Sequence, residues 1–382
     1  MRAVVRSGGA AYGALRAAVD VTPLLGPRTG VGRFTGELLA QLAGEPGLDL
    51  VAYATTWRGR DDLPGLVPAG VRTVRAPMAA RPLRAAWRRM DHPRIERWTG
   101  PVDVVHGGNF VVPPATCPQV VTVHDLTFRR YPEMCTADVL AYPALLRRAL
   151  DRGAWVHTVS RFVRDEVVEL LGAPGERVVC VPNGVTAVAP GDAGRGGRLV
   201  GGGRYVLAVG TVEPRKNLPR LVAAFDELAA GDPELKLALA GPDGWGTDEL
   251  EAAFGAAAHR DRVVRLGFVE DRARADLLAG AAVVAVVSVY EGFGLVAAEA
   301  MSAGTPVVAA AAGGLVEVVG DAAVLVDPTD VADIARGLRA VLDDDDVAAD
   351  LRRRGPEQAS RFSWEACASG IVELWRRAVG SG

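Results

Sequence analysis

Twelve short apolar runs, rich in valine and alanine, alternate with stretches of helical periodicity from Leu15 to the end of the chain. Strands buried on both faces of a parallel sheet read as continuous apolar runs, and their regular alternation with helices is the pattern of βαβ units. In the first half the runs fall near residues 15–21, 48–54, 102–106, 119–124, 154–159 and 177–181. In the second they fall near 204–211, 235–241, 262–268, 283–289, 305–310 and 323–326. Residues 187–203, with seven glycines and one proline, separate the two series and read as a linker.

A chain of 382 residues is longer than one ordinary core supports. The pattern therefore predicts an α/β protein of two doubly wound, Rossmann-like domains, 15–186 and 204–363, facing a cleft between their sheet ends. A last helix, 364–382, carries Trp364, Cys367, Ile371, Leu374 and Trp375 on one face. Residues 1–14 contain Arg2 and Arg6 but lack the apolar core of a secretory signal, and they are predicted to form a disordered extension.

Composition closes off several classes of function. A net charge of −3 gives no electrostatic reason to expect a nucleic-acid partner. Cys117, Cys135, Cys180 and Cys367 show no CxxC spacing, so they read as reduced, structural thiols of a cytoplasmic protein. No apolar run reaches the roughly 18–20 residues of a membrane span. The acidic run Asp343–Asp346 reads as a solvated loop, not a metal site. Residues 81–98 hold six arginines with Trp87 and Trp98. That segment reads as a core-packed helix with a charged outer face, in preference to a face for an anionic membrane.

Residues 291–307, EGFGLVAAEAMSAGTPV, carry the strongest functional signal. Glu291 follows a strand-like run, Gly292 and Gly294 come directly after it, and Glu299 falls in the first turns of the next helix, which stops at Gly304. In an open parallel sheet, ligands bind outside the carboxyl ends of the strands, where both acids are placed. The second series opens with a similar arrangement. A strand ends at Gly210, Arg215 and Lys216 follow, and a helical pattern starts at Leu218. A helix N-terminus with an arginine fork and a lysine point charge makes an anion site. Cations after the first strand of a domain and carboxylates after its fourth can meet at one sheet edge. There the cations would hold a diphosphate and the carboxylates would accept hydrogen bonds from sugar hydroxyls. A nucleotide sugar needs both.

The chain resembles family 4 glycosyltransferases of the GT-B fold, from Leu15 to the C-terminus. The resemblance is carried, in order, by Thr29-Gly-Val-Gly-Arg33, Val123-His-Asp-Leu126, Thr158-Val-Ser-Arg161, Val181-Pro-Asn-Gly-Val185, Gly210-Thr-Val-Glu-Pro-Arg-Lys-Asn217 and the Glu291–Glu299 motif. It implies a first domain on the acceptor side and a second that binds the nucleotide sugar. Arg215 and Lys216 would neutralise the diphosphate as the glycosidic bond breaks. Glu299 would bind ribose hydroxyls, and Glu291 would bind hydroxyls of the donor sugar. Backbone groups of Gly210, Gly292, Phe293, Gly294 and Leu295 would assist. Gly30 and Gly32 would form a turn between the first strand and the first helix, allowing close approach of donor phosphate or acceptor. His124 would touch the donor sugar near the reacting carbon, while His106 and His157 read as satisfied core histidines. Asn183 and Gly184 read as the turn closing the first domain.

The resemblance further implies a retaining, metal-independent hexosyltransferase that needs no cofactor beyond its substrate, GDP-mannose or a UDP-hexose. Its acceptor would be a glycan or a lipid-linked acceptor, with peripheral contact at the inner face of the plasma membrane as one consequence. Residues 309–312, all alanine, followed by Gly313 and Gly314, depart from the polar residues many relatives carry there, which leaves donor selectivity open. A sugar-nucleotide epimerase or hydrolase on the same scaffold, and a non-catalytic sugar-nucleotide-binding protein, are the alternatives. A dinucleotide-dependent oxidoreductase is disfavoured because no G-x-G-x-x-G follows a first strand.

Overall fold

The computed structural model describes residues 14–26 and 30–381. All twelve predicted strands form, together with one short strand that the pattern does not reveal. In the first half they are β1 (Leu15–Asp20), β2 (Leu48–Tyr53), β3 (Arg72–Thr73), β4 (Val104–Gly107), β5 (Gln119–Val123), β6 (Trp155–Thr158) and β7 (Val178–Cys180). In the second half they are β8 (Tyr205–Val209), β9 (Lys236–Ala240), β10 (Val263–Gly267), β11 (Val283–Val286), β12 (Val307–Ala310) and β13 (Val324–Val326). The unforeseen strand, β3, is two residues long, too short to show a period.

The first sheet has the order β3-β2-β1-β4-β5-β6-β7 and the second β10-β9-β8-β11-β12-β13. Pairing in the second sheet is parallel throughout, with β8 between β9 and β11. In each sheet the winding direction reverses once, between β1 and β4 and between β8 and β11, and those reversals are the topological switch points of doubly wound folds. The second sheet closes its core with Val206, Leu237, Val283 and Val308 from its strands, Leu221 and Phe225 from the helix Leu218–Ala229, and Leu338 from the helix Val331–Leu342. Burying each of the larger side chains stabilises the domain by about 1.5–3 kcal/mol.

The chain divides into two compact units. One runs to Thr122 and takes in Ala144–Trp155 and the chain from Ile371; the other comprises Val123–Pro143 and Val156–Gly370. The final helix, Trp364–Gly380, contributes to both by sequence. In the second unit the Trp364 indole packs on Gly184 and donates to Thr186 Oγ1 at 2.9 Å, while Val185 N–H bonds the Phe362 carbonyl. In the first unit Trp375 is fully buried and donates to His106 Nδ1 at 3.2 Å.

Three expectations are corrected. The glycine-rich segment 187–203 is not a bare linker, since it contains the helix Ala193–Leu199. Asp192 caps that helix, and Arg195 pairs with Asp276 at 2.9 Å. A side chain at Gly191 or Gly196 would overlap the carbonyls of Ala275 and Asp276, so two of these glycines serve close packing and not freedom of the chain. Second, Gly30 and Gly32 do not form a turn but lie in the first turn of the helix Gly30–Leu42. Third, the acidic run is more than a solvated loop: Asp344 accepts from the N–H groups of Asp346 and Val347 and caps the helix Asp345–Ala359. The predicted extension, apart from Ala14, and Thr29 lie outside the described residues.

Residues 81–98 include the helix Ala80–Trp87, whose Trp87 is buried and donates to the Pro93 carbonyl at 2.9 Å. Arg81, Arg88, Arg89, Arg94 and Arg97 are exposed, but the helix stops at Trp87 and a second short one covers Glu96–Thr99. Only Arg81 of these five therefore lies on the core-packed helix, and the expected single helix over 81–98 does not form.

Candidate active site

The carboxyl ends of β8 and β11 meet at the switch point of the second sheet, and the segments leaving them are tied together by main chain before any side chain acts. β8 runs to Val209 and is followed by Gly210, and a single turn, Pro214–Lys216, leads to the helix Leu218–Ala229. Asn217, in left-handed conformation (φ 60°), joins turn to helix. Its buried side chain donates to the carbonyls of Val287 (3.0 Å) and Pro328 (2.7 Å). The Val289 N–H bonds the Arg215 carbonyl at 2.9 Å. The basic turn and the acidic loop are thus a single braced unit.

Glu291 lies at its centre. Oε1 accepts from Lys216 Nζ at 2.6 Å and from Ser288 Oγ at 2.9 Å, and Oε2 lies 2.9 Å from Arg215 Nη1. Arg215 Nε in turn pairs with Glu213 at 2.9 Å. Burial by itself would raise the Glu291 pKa. The charges of Arg215 and Lys216 and the hydrogen bonds from Lys216 and Ser288 outweigh it and hold the carboxyl down at about 2. Burial would lower the Arg215 pKa, but Glu291, Glu213 and Asp125 together raise it. Glu291 and Arg215 therefore both carry their charge at neutral pH.

The glycines after Glu291 let three loops stack. A side chain at Gly292 would overlap the carbonyl oxygen of His124, and side chains at Gly313 and Gly314 would overlap the carbonyls of Glu291 and Gly292. Gly314 N–H bonds the Glu291 carbonyl at 2.8 Å, and Ser160 Oγ donates to the Gly292 carbonyl at 2.7 Å. The Gly313–Gly314 loop is thus fitted against the Glu291 loop. Gly294, at φ 96°, opens the helix Leu295–Ser302, and Leu295 at its start is half-buried. Phe293 is turned into the core, edge-on to Phe362 at 5.3 Å, so its backbone is what faces the loop.

Glu299, buried in that helix, forms an ion pair with Arg274 from the helix Asp271–Gly280. Gly210, Arg215, Lys216, Glu291 and Gly292 come together with the His124 backbone, whose imidazole is half-buried. Gly30 and Gly32 belong to the first unit. His106 and His157 are core residues: His106 Nε2 bonds Thr122 Oγ1 and His157 Nε2 bonds the Val181 carbonyl, each at 2.8 Å. Burial, opposed by that bond, holds His157 down at about 4.

Sequence reasoning missed Glu213, Ser288, Tyr290, Arg274 and Ser160. Glu213 and Ser160 lie inside motifs named above, and Ser288 and Tyr290 stand just before Glu291, so all four were open to sequence as polar neighbours. Arg274 meets the site only through the fold. Among the described residues no group of three or more His, Cys, Asp or Glu is placed to hold a metal ion, and no helix is long and apolar enough to cross a membrane.

Two parallel, doubly wound sheets with a charged loop cluster at the second switch point belong to the GT-B fold class. Solved structures agree. Sucrose-phosphate synthase from Thermosynechococcus elongatus superposes with a TM-score of 0.75 at 22% identity, covering 96% of this chain and all of that one. Anabaena HepE in complex with UDP and glucose gives a TM-score of 0.72 at 20% identity, covering 94% of this chain and 98% of that one. At the level of sequence, residues 28–187 match the family model "Glycosyltransferase Family 4" and residues 196–358 match "Glycosyl transferases group 1". The O-antigen chain mannosyltransferase B of Escherichia coli is 31% identical over 375 residues, 93% of this chain and 97% of that protein. The chain belongs to the family 4 glycosyltransferases, and it is a glycosyltransferase.

Proposed function

We propose that this glycosyltransferase moves mannose from GDP-mannose to a glycan or lipid-linked acceptor, with retention of configuration and without a metal ion. The observation that carries the reading is the Glu291 carboxylate bridging Lys216 and Arg215 where β8 and β11 end. The likeness to an O-antigen mannosyltransferase along nearly the whole chain supports mannose as the sugar. HepE, which shares the fold, binds UDP and glucose, so a UDP-hexose is the donor to test against it.

In this reading Arg215 and Lys216 take the diphosphate and stabilise the charge that develops as the sugar–phosphate bond breaks. A pre-organised cationic pair does for the leaving group what a divalent cation would do elsewhere. Glu291 and the backbone around Gly292 and Gly294 receive the sugar hydroxyls, with His124 beside them. Glu299 receives the ribose hydroxyls, held in place by Arg274. The acceptor hydroxyl attacks from the face the leaving phosphate occupies, and the phosphate takes its proton, so no separate base is required. A lipid-linked acceptor would bring the protein to the inner face of the plasma membrane.

The test is a thermal-shift screen against GDP-mannose, UDP-glucose, UDP-N-acetylglucosamine, GDP and UDP without added metal. A ligand that binds only the folded chain raises its melting temperature by mass action. A shift with GDP and GDP-mannose alone supports the reading. A shift confined to the uridine compounds replaces mannose with another hexose, and no shift with any of them removes the nucleotide-sugar reading of this site.

A further inference from the structure

Tyr290 stands one peptide before Glu291, and its side chain leaves the site for a different part of the second unit. The ring is buried, edge-on to Phe162 with 5.9 Å between centroids and tilted against Tyr131 at 5.8 Å. Its hydroxyl donates to Glu166 Oε2 and accepts from the Leu126 N–H at 2.9 Å. Glu166 is buried too, in the helix Arg161–Leu171, and its other oxygen accepts from Arg130 Nε at 2.6 Å. One hydroxyl thereby joins a helix, the turn two residues beyond His124, and the strand end that presents Glu291.

The arrangement is costly unless orientation matters. A buried carboxylate needs its partners, and a buried main-chain N–H left without one is destabilising. The ring's aromatic surroundings would be filled as well by phenylalanine. What the hydroxyl adds is a fixed separation between the His124 turn and the Glu291 turn, which already touch where the His124 carbonyl meets Gly292. A network in which every member is bonded holds such a separation better than apolar contact does.

We propose that Tyr290 and Glu166 are positioning residues that set His124 against Glu291 for joint contact with the donor sugar, leaving the diphosphate to Arg215 and Lys216. This rests on the assignment of His124 and Glu291 to the donor sugar made above. The measurable consequence is selective. Removing the network weakens the contribution of the sugar to binding and spares that of the nucleoside diphosphate.

The experiment is calorimetric titration of the full chain with GDP, GDP-mannose, UDP and UDP-glucose, in wild type and in Tyr290→Phe, Glu166→Ala, Glu166→Gln and Glu291→Ala. Tyr290→Phe and Glu166→Ala are expected to raise the Kd of the nucleotide sugar about tenfold, the worth of one buried hydrogen bond. The Kd of the bare diphosphate should stay within about twofold, because neither altered side chain bonds Arg215 or Lys216: Arg215 Nη1 meets Tyr290 only at its main-chain carbonyl, at 3.5 Å, which the substitution keeps. Glu166→Gln keeps an acceptor for the tyrosine hydroxyl and should recover most of the loss. Combining Tyr290→Phe with Glu166→Ala should add little to either alone, as for two parts of one network. The proposal is overturned if sugar and bare diphosphate weaken together, which is general disruption. It is also overturned if the sugar contribution persists in Tyr290→Phe while Glu291→Ala abolishes it. If Glu291→Ala leaves that contribution intact, or wild type binds none of the four compounds, the functional reading fails first and this inference with it.

Discussion

Arg215 Nη1 lies 2.9 Å from Glu291 Oε2, bridging the ends of β8 and β11. The contact makes one chemical object of two motifs that are far apart in sequence. A buried pair of this kind is poor evidence for stability, because desolvating both charges offsets much of their attraction. Its value is in orientation, with Lys216 on the other carboxylate oxygen and Asn217 bracing the turn behind. Arg215→Ala, Lys216→Ala and Glu291→Ala should each lower kcat/KM about 10²–10³-fold, the usual effect of removing one pre-organised charge-stabilising group. Steady-state kinetics with the donor selected by the thermal-shift screen checks this. Intact transfer in both Lys216→Ala and Glu291→Ala would sink the assignment.

Glu213 competes for the same arginine. Its carboxylate holds Arg215 Nε at 2.9 Å, so an incoming diphosphate meets a cation already shared between two acids. Neutralising Glu213 removes a nearby negative charge without touching Glu291. Glu213→Gln should therefore bind GDP or UDP about five- to tenfold more tightly at low ionic strength, with a smaller gain in high salt as screening grows. Weaker binding would mean that Glu213 acts by aiming Arg215 and not by opposing the ligand.

The Glu291 carboxyl titrates at about 2 in the fold and at 4.5 as an unperturbed side chain. A depressed carboxyl pKa stabilises the fold fully above the unfolded value, and that share is lost as pH falls through the folded value. The window for this residue is therefore from about 4.5 down to about 2, and the share at stake is on the order of 3 kcal/mol. Glu291→Gln leaves Lys216 without its counter-charge and Arg215 with Glu213 alone, so it should be less stable at pH 7. Its stability should also fall less steeply than that of wild type between pH 5 and pH 3. Urea unfolding at pH 5, 4 and 3 compares the slopes, and parallel curves would show that the carboxylate draws no net stability from its partners.

The parts of this molecule that were legible in the sequence are those with a local signature. Strands buried on both faces announced themselves as apolar runs, and Glu291, Arg215, Lys216 and Gly292 stood out through motif and order. Glu166 did not, because it meets Tyr290 across 124 residues and no spacing encodes that contact. Arg274 was equally hidden, an ordinary surface-type residue of a helix until the fold lays it on Glu299. The segment 187–203 misled for a different reason. Glycine is read as freedom when the neighbours are unknown, whereas Gly191 and Gly196 are glycine because the helix Asp271–Gly280 passes too close for a side chain. Gly30 and Gly32 show the same ambiguity at a helix start.

Two glycine substitutions separate these uses of the residue. Gly255 lies exposed in the helix Thr247–Ala256 with open space around the position of a methyl group. Gly255→Ala should therefore stabilise the chain by about 0.5–1 kcal/mol, through reduced freedom of the unfolded state. At Gly292 the added carbon would overlap the carbonyl oxygen of His124, and the obstacle is main chain, which cannot rotate away as a side chain does. Gly292→Ala should then cost about 1–3 kcal/mol, as for overpacking elsewhere. Because the backbone that must move carries both Glu291 and the His124 turn, it should also lower the transfer rate more than tenfold where the protein remains folded. Melting temperature and activity measured on the same preparations check both halves. A Gly292→Ala protein with wild-type melting and wild-type turnover would mean that the His124 and Gly292 main chains do not pack against each other in the working enzyme.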